Sequence, residues 1–191
     1  LQAGAGSGSL ARVPIDTAIS SSSPPPDAWT TPPHDRPPRL FVDADACPVK
    51  PEIVRVALRL GAPVLMVAAG YTRLAAHPLL RAVAAGPGFD AADDWIAARV
   101  AAEDIVITGD IPLADRALKN GARVLNHTGR PFTPDSIGMA LATRALMADL
   151  RAMGEAGGGP KPFAAADRSR FLSALDTEIQ KARRALAGSL R

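Results

Sequence analysis

One cysteine is too few for an internal disulfide, and no Cys-x-x-Cys pair or Cys/His cluster offers a zinc site, so a reducing cytoplasm is the expected setting. Only 4% of the residues are aromatic, which leaves Ala, Val, Leu and Ile to build the core. With 47% hydrophobic residues there is ample material for one. No apolar run approaches the roughly 18 residues needed to cross a bilayer, which argues against a membrane protein. The N-terminal stretch has no cationic start followed by an apolar block, so no secretory signal is expected. An excess of one charge is missing too. A net charge of +3 and a pI near 9.5 permit an anionic partner without demanding one.

What the chain does have is a sharp change of composition. Residues 1–38 hold "SSSSPPP" and "TTPPHDRPP", too polar to bury the apolar surface that offsets ordering entropy. They are expected to be a disordered tail, with His34 solvated in it. A single domain is expected over residues 39–187.

Within that domain strands and helices alternate. "RLFVDAD" reads as a strand, and "VKPEIVRVALRLG" reads as a helix with Ile53, Val56, Ala57 and Leu60 on one face and a stop at Gly61. "PVLMVAA" is an apolar strand of the kind found in the middle of a parallel sheet. "LLRAVAAG" fits a strand or a helix. A helix is expected over "FDAADDWIAARVAAE", a strand over "DIVITGD", a helix over "IPLADRALKNG" ending at Gly121, and a strand over "ARVLN". The alternation predicts an α/β protein, a three-layer α/β/α sandwich with a mainly parallel central sheet. Two helices follow. The first opens with Thr133 as N-cap and Pro134 in its first turn, and runs to Gly154. The second places Phe171, Leu172, Leu175, Ile179 and Leu186 on one face, dressed by Arg168, Arg170, Lys181, Arg183 and Arg184. It is expected to be a docking or dimerising helix with a solvated basic face, which leaves a homo-oligomer open.

Ligands of an open parallel sheet bind beyond the carboxyl ends of its strands, where "VDAD" and "VITGD" place aspartates. Asp43, Asp45 and Asp110 are therefore expected to converge. Asp93 lies three and seven residues before Ile96 and Val100 and shares their buried face, whereas Asp94 points partly aside. Crowded carboxylates either take up protons or gather a cation. Mg²⁺ or Mn²⁺ suits an all-oxygen donor set and supports phosphodiester hydrolysis. Each acid also has a structural alternative. Asp43 ends a strand, Asp45 could cap the helix after Pro48, Asp93 could belong to a capping arrangement with Asp90, and Asp110 could cap the helix near Pro112. Asp115 is read as a surface partner of Lys119.

The stretches "VDADACPVKPEI", "GFDAADDWIA", "DIVITGDIPLADRALKNGARVLN", "LRAMGEAGGGPKPF" and "DRSRF" resemble the YaiI/YqxD family of bacterial proteins over nearly all of residues 40–175. The strand-end acids of that family resemble those of PIN-like and NYN nucleases. The resemblance implies a PIN-like fold and a metal-dependent hydrolase acting on RNA. Its acids fall on Asp43, Asp93 or Asp94, and Asp110, with Thr108 as a supporting hydroxyl and Asp45 as an additional ligand. Many of those nucleases add an acid two residues after the last aspartate, where this chain has Pro112.

Arg73, Arg81 and Arg144 are the expected phosphate contacts, with Arg151 a further candidate. Two other readings compete. "DADAC" resembles the first motif of haloacid-dehalogenase-type phosphatases, with Asp43 as nucleophile, but the lysine such an enzyme needs is absent from residues 51–118. A PIN-like module that binds RNA or protein without cleavage is the other. Cys47 is expected to be a small buried residue, because a cysteine phosphatase would need an Arg where Ile53 stands. His77 and His127 are read as surface-loop residues, with contact to substrate as the alternative for either.

Overall fold

The computed structural model describes residues 37–45, 47–153 and 163–189. Residues 1–36 of the expected tail lie outside the described residues, as does the expected helix end at Gly154. Six strands form one sheet: β1 (Leu40–Asp43), β2 (Val64–Ala68), β3 (Leu80–Ala84), β4 (Ile105–Ile107), β5 (Arg123–Leu125) and β6 (Pro131–Phe132). Five helices connect and cover them: α1 (Lys50–Leu60), α2 (Ala91–Ala97), α3 (Ile111–Lys119), α4 (Pro134–Ala152) and α5 (Ala165–Gly188). The strand order is β3-β2-β1-β4-β5-β6, parallel except for the antiparallel β5–β6 pair.

Successive side chains of a strand point to opposite faces, and here both faces are covered. Leu40, Val42, Val64, Met66, Ile105 and Ile107 pack with Ile53 and Val56 of α1 and with Phe171, Leu175 and Ile179 of α5. Phe41, Leu65, Val67, Val106 and Val124 face Ile96 of α2, Leu113 and Ala117 of α3, and Ile137 of α4. This is the three-layer α/β/α sandwich that the alternation predicts. The last helix docks on its own sheet. Several of its basic residues are tied within the chain: Arg168 pairs with Glu52 at 3.0 Å, Lys181 with Glu178 at 2.8 Å, and Arg183 donates to the Leu60 carbonyl.

Local chemistry sets the element ends. Gly61 adopts φ 61° and closes α1 from the left-handed region. Thr133 and Ser136 form a reciprocal capping box at the start of α4. "LLRAVAAG" resolves as strand β3, because each residue from Leu80 to Ala84 pairs with β2. Helix α2 stops at Ala97, shorter than expected, and Glu103 takes φ 64° in the turn that leads into β4. No strand was expected at β6, which exists through its pairing with β5. Among the described residues no helix is long and apolar enough to cross a membrane.

A buried ion pair ties the amino ends of the central strands. Asp104, fully buried, accepts from the Arg39 backbone N–H at 3.1 Å, from Arg39 NH2 at 2.6 Å and from the Ala101 N–H at 3.0 Å. Arg39 NH2 also donates to the Arg99 carbonyl at 3.0 Å. Removing one member strands the other charge in the interior. Asp104→Ala is expected to cost about 3–5 kcal/mol in denaturant unfolding, whereas replacing both residues with apolar ones of similar volume should recover most of that loss.

Candidate functional site

The order of the sheet reverses between β1 and β4, since β2 continues on one side of β1 and β4 on the other. A crevice opens beyond the carboxyl ends of the strands at such a switch point. The register pairs Val42 with Ile107, so Asp43 and Thr108, each one residue further on, come together. Thr108, buried, donates from Oγ1 to Asp43 Oδ2 at 3.0 Å and accepts from the Asp110 N–H at 2.9 Å. Asp110 does two things at once. Its Oδ1 accepts from the Leu113 N–H at 2.9 Å, capping α3, and its Oδ2 takes a 2.8 Å ion pair from Arg144 of α4.

Asp45 accepts from the Ala69 N–H at 2.9 Å and so anchors the end of β2, and it does not cap α1. Asp90 occupies the N-cap position of α2 without a side-chain cap bond, and Asp93 sits in the first turn. The resulting crevice, about 590 Å³, is lined by Asp43, Asp45, Asp90, Asp93 and Asp110, with Phe89, Pro112, Arg116, His127 and Arg144.

The acids act on one another. Burial raises the Asp43 carboxyl above its ordinary value, the Thr108 hydrogen bond opposes that rise, and the charges of Asp45 and Asp110 add to it. Asp93 is pushed up to about 6, first by burial and then by the charges of Asp110, Asp43 and Asp90, with Arg116 opposing. Among the described residues, however, no three His, Cys, Asp or Glu side chains are grouped closely enough to hold a metal ion. The carboxylates share a crevice and a field without forming a closed ligand cage.

The family model described as "Uncharacterized BCR, YaiI/YqxD family" matches residues 41–181. The chain belongs to the YaiI/YqxD family. It is 62% identical over 149 residues to a UPF0178 protein of Nitrobacter winogradskyi, covering 78% of this chain and 95% of that protein. A UPF0178 protein of Rhodopseudomonas palustris strain BisB5 is 59% identical over 145 residues, 76% of this chain and 88% of the relative. The UPF0178 protein bll3966 of Bradyrhizobium diazoefficiens is 57% identical over 150 residues, 78% and 90% of the two chains. No solved structure matches.

In this YaiI/YqxD member, not every residue singled out from the sequence reaches the crevice. Asp94 is exposed and pairs with Arg116 at 2.8 Å, turned away from the lining. Arg73 is exposed in the loop between β2 and β3, and Arg81 lies opposite Leu65 near the amino end of β3, two strands from the switch point. Neither lines the crevice. Arg151 lines a neighbouring groove with Arg130 and Phe132. Asp115 pairs with Lys119 at 2.7 Å, as the helical spacing predicts. Cys47 is half-buried, and its thiol is pushed up to about 11 by burial.

The structure adds residues that sequence reasoning passed over. His127, read as a surface-loop residue, lines the crevice instead, with its ring beside Gly109 and 6.1 Å from the Phe163 ring. Its loop turns at Gly129, where φ is 81° and an added Cβ would lie 2.8 Å from the Phe171 backbone nitrogen. Phe89 follows "GPG" at the crevice mouth and is completely exposed. The signal for it was an aromatic residue set between a Gly/Pro turn and an acidic helix start.

Because Asp93 holds its proton more tightly when folded, its ionisation costs stability as pH rises from 3.8 to about 6. Asp93→Asn removes that cost. At pH 7 the variant should gain about 1 kcal/mol in urea unfolding, after allowance for solvent screening of a half-exposed group, and the gain should fade towards pH 4.

Proposed function

We propose that the crevice is the active site of a PIN-like, metal-dependent nuclease that hydrolyses phosphodiester bonds in RNA, with Mg²⁺ or Mn²⁺ as cofactor. The observation that carries this reading is the meeting of Asp43, Asp93 and Asp110 in one crevice, where the charge of Asp110 raises the proton affinity of both Asp43 and Asp93. The five carboxylates in the lining suit a hard cation. With no three side chains grouped for direct ligation, the fit is to an ion that keeps several waters, held by Asp43, Asp93 and Asp110 with Asp45 at the edge. Bound there, such an ion would neutralise phosphate charge and acidify a water.

The chain's own residues divide the remaining work. Thr108 fixes the orientation of Asp43 through its hydrogen bond. Asp93, raised by burial and by the charges of Asp110, Asp43 and Asp90, is the carboxylate that a bound cation would relieve most directly, and it would help to hold that cation against the phosphate. Arg144 and Arg116 bring guanidinium groups to the crevice wall, suited to non-bridging phosphate oxygens. The acid missing at Pro112 is offset by Asp45 and Asp90 in the same lining. Phe89, wholly exposed at the mouth, offers a flat apolar face to an unpaired base, which favours single-stranded RNA over duplex.

The test is Mn²⁺ titration by calorimetry followed by cleavage of a single-stranded RNA under saturating metal. Wild type should bind and cleave, and Asp43→Asn should lose both. Asp110→Asn should bind metal less tightly while keeping its fold, because Asn is as good a helix cap as Asp. Asp93→Asn should slow cleavage through a weaker hold on the metal. No metal binding by wild type sinks the reading, and binding without cleavage marks a recognition module in its place.

A further inference from the structure

The outer face of α4 is apolar and uncovered. Met139, Leu146, Met147 and Met153 are 73%, 58%, 39% and 63% exposed. The inner face is occupied, with Ile137 buried, Leu141 packed against the core and Arg144 paired to Asp110. At 100° per residue the outer arc runs through Ala142, Met153, Leu146, Met139, Leu150 and Thr143, uncharged from Met139 to Met153, with Asp149 at its border and Asp135 on it only in the first turn of the helix. Met139, Leu146 and Met153 recur every seven residues, the spacing of a helix-pairing seam.

We propose that α4 is a self-association helix that pairs antiparallel with α4 of a second copy, with Leu146 on the two-fold axis. The pattern is symmetric about that residue, as an isologous contact requires. Met139 of one copy meets Met153 of the other, and Ala142 meets Leu150, a small residue against a large one. Charge decides the direction. A parallel, in-register pair would set Asp149 against its own copy, two carboxylates repelling each other beside an apolar seam. The antiparallel pair sets Asp149 beside Thr143, whose hydroxyl can donate to it.

The area also suffices. Met139, Leu146 and Met153, the three large exposed side chains of that arc, present on the order of 350 Å² per copy, in the range of the largest apolar patches on a monomer, which are often functional. With the intervening Ala, Thr and Leu residues, a joined pair buries on the order of 1,000 Å² in total, the floor for a stable interface. Residues 154–162, the chain nearest this face in sequence, read "GEAGGGPKP" and have no large apolar side chain to cover it. The pairing braces the helix that carries Arg144 to the crevice, and it stands whether or not the crevice cleaves RNA.

Sedimentation equilibrium of the full chain at tens of micromolar should give a dimer. Leu146→Glu should weaken association at least about 100-fold, with helix content and melting behaviour showing an intact fold. In a Cys47→Ser background, Leu146→Cys should form a disulfide with itself on oxidation. Met139→Cys should cross-link to Met153→Cys when the two variants are mixed, and not to itself. A monomeric wild type, a dimer indifferent to Leu146→Glu, or self-linking of Met139→Cys would each overturn the proposal. The first would leave residues 1–36 as the segment to test as the cover.

Discussion

The alignment of β1 with β4 is the constraint on which the rest of the structure depends. It is held at both ends by side chains. At the amino ends the Arg39–Asp104 pair joins the residue before β1 to the residue before β4. At the carboxyl ends Thr108 bridges Asp43 to the Asp110 backbone. A slip of one residue would turn Val42 and Ile107 out of their shared face and carry Asp43 away from Thr108. The crevice is thus a product of strand register. Residues 65 positions apart meet because the sheet leaves them no other place.

The same alignment crowds these acids together, and the charge of Asp110 raises the proton affinity of Asp43 and Asp93. Each is held by a group that favours its charge or its position: Thr108 on Asp43, the α3 amino terminus and Arg144 on Asp110, and the Ala69 N–H on Asp45. Asp93 has Arg116 as its opposing charge, and its carboxyl is pushed up to about 6. Helix capping and crevice lining coincide at Asp110. The residue that caps the helix is also the one that faces the crevice, so reading it as only one of the two would have been a mistake.

Much of the fold was legible because apolar runs and helical spacing report burial directly. Where the reading was ambiguous or overran, tertiary pairing decided. "LLRAVAAG" carries too few residues to show its period, and only the neighbouring β2 makes it a strand. The alanine-rich course after α2 kept a helical pattern, yet Asp104 captures the Ala101 N–H and the chain turns there. In the crevice, strand-end aspartates were legible because topology places them. Asp93 and Asp94 were separable in direction because neighbours on a helix diverge by about 100°. That Arg73 and Arg81 stand away from the crevice lining was not legible, since nothing local says how far a loop or an outer strand stands from the switch point. His127 was missed for the converse reason: the tight turn at Gly129 against α5 brings its loop back to the crevice.

The brevity of β6 has a consequence for the life of the protein in a crowded solution. A sheet border with open backbone groups is a template on which other chains can add strands and grow into fibrils. Here the border strand is two residues long and begins with Pro131, which has no N–H to offer an incoming strand. The opposite border, β3, carries the charged Arg81 as its second residue. Strand-by-strand polymerisation is discouraged at both borders, so the molecule can expose an apolar helix without also inviting amyloid-like growth.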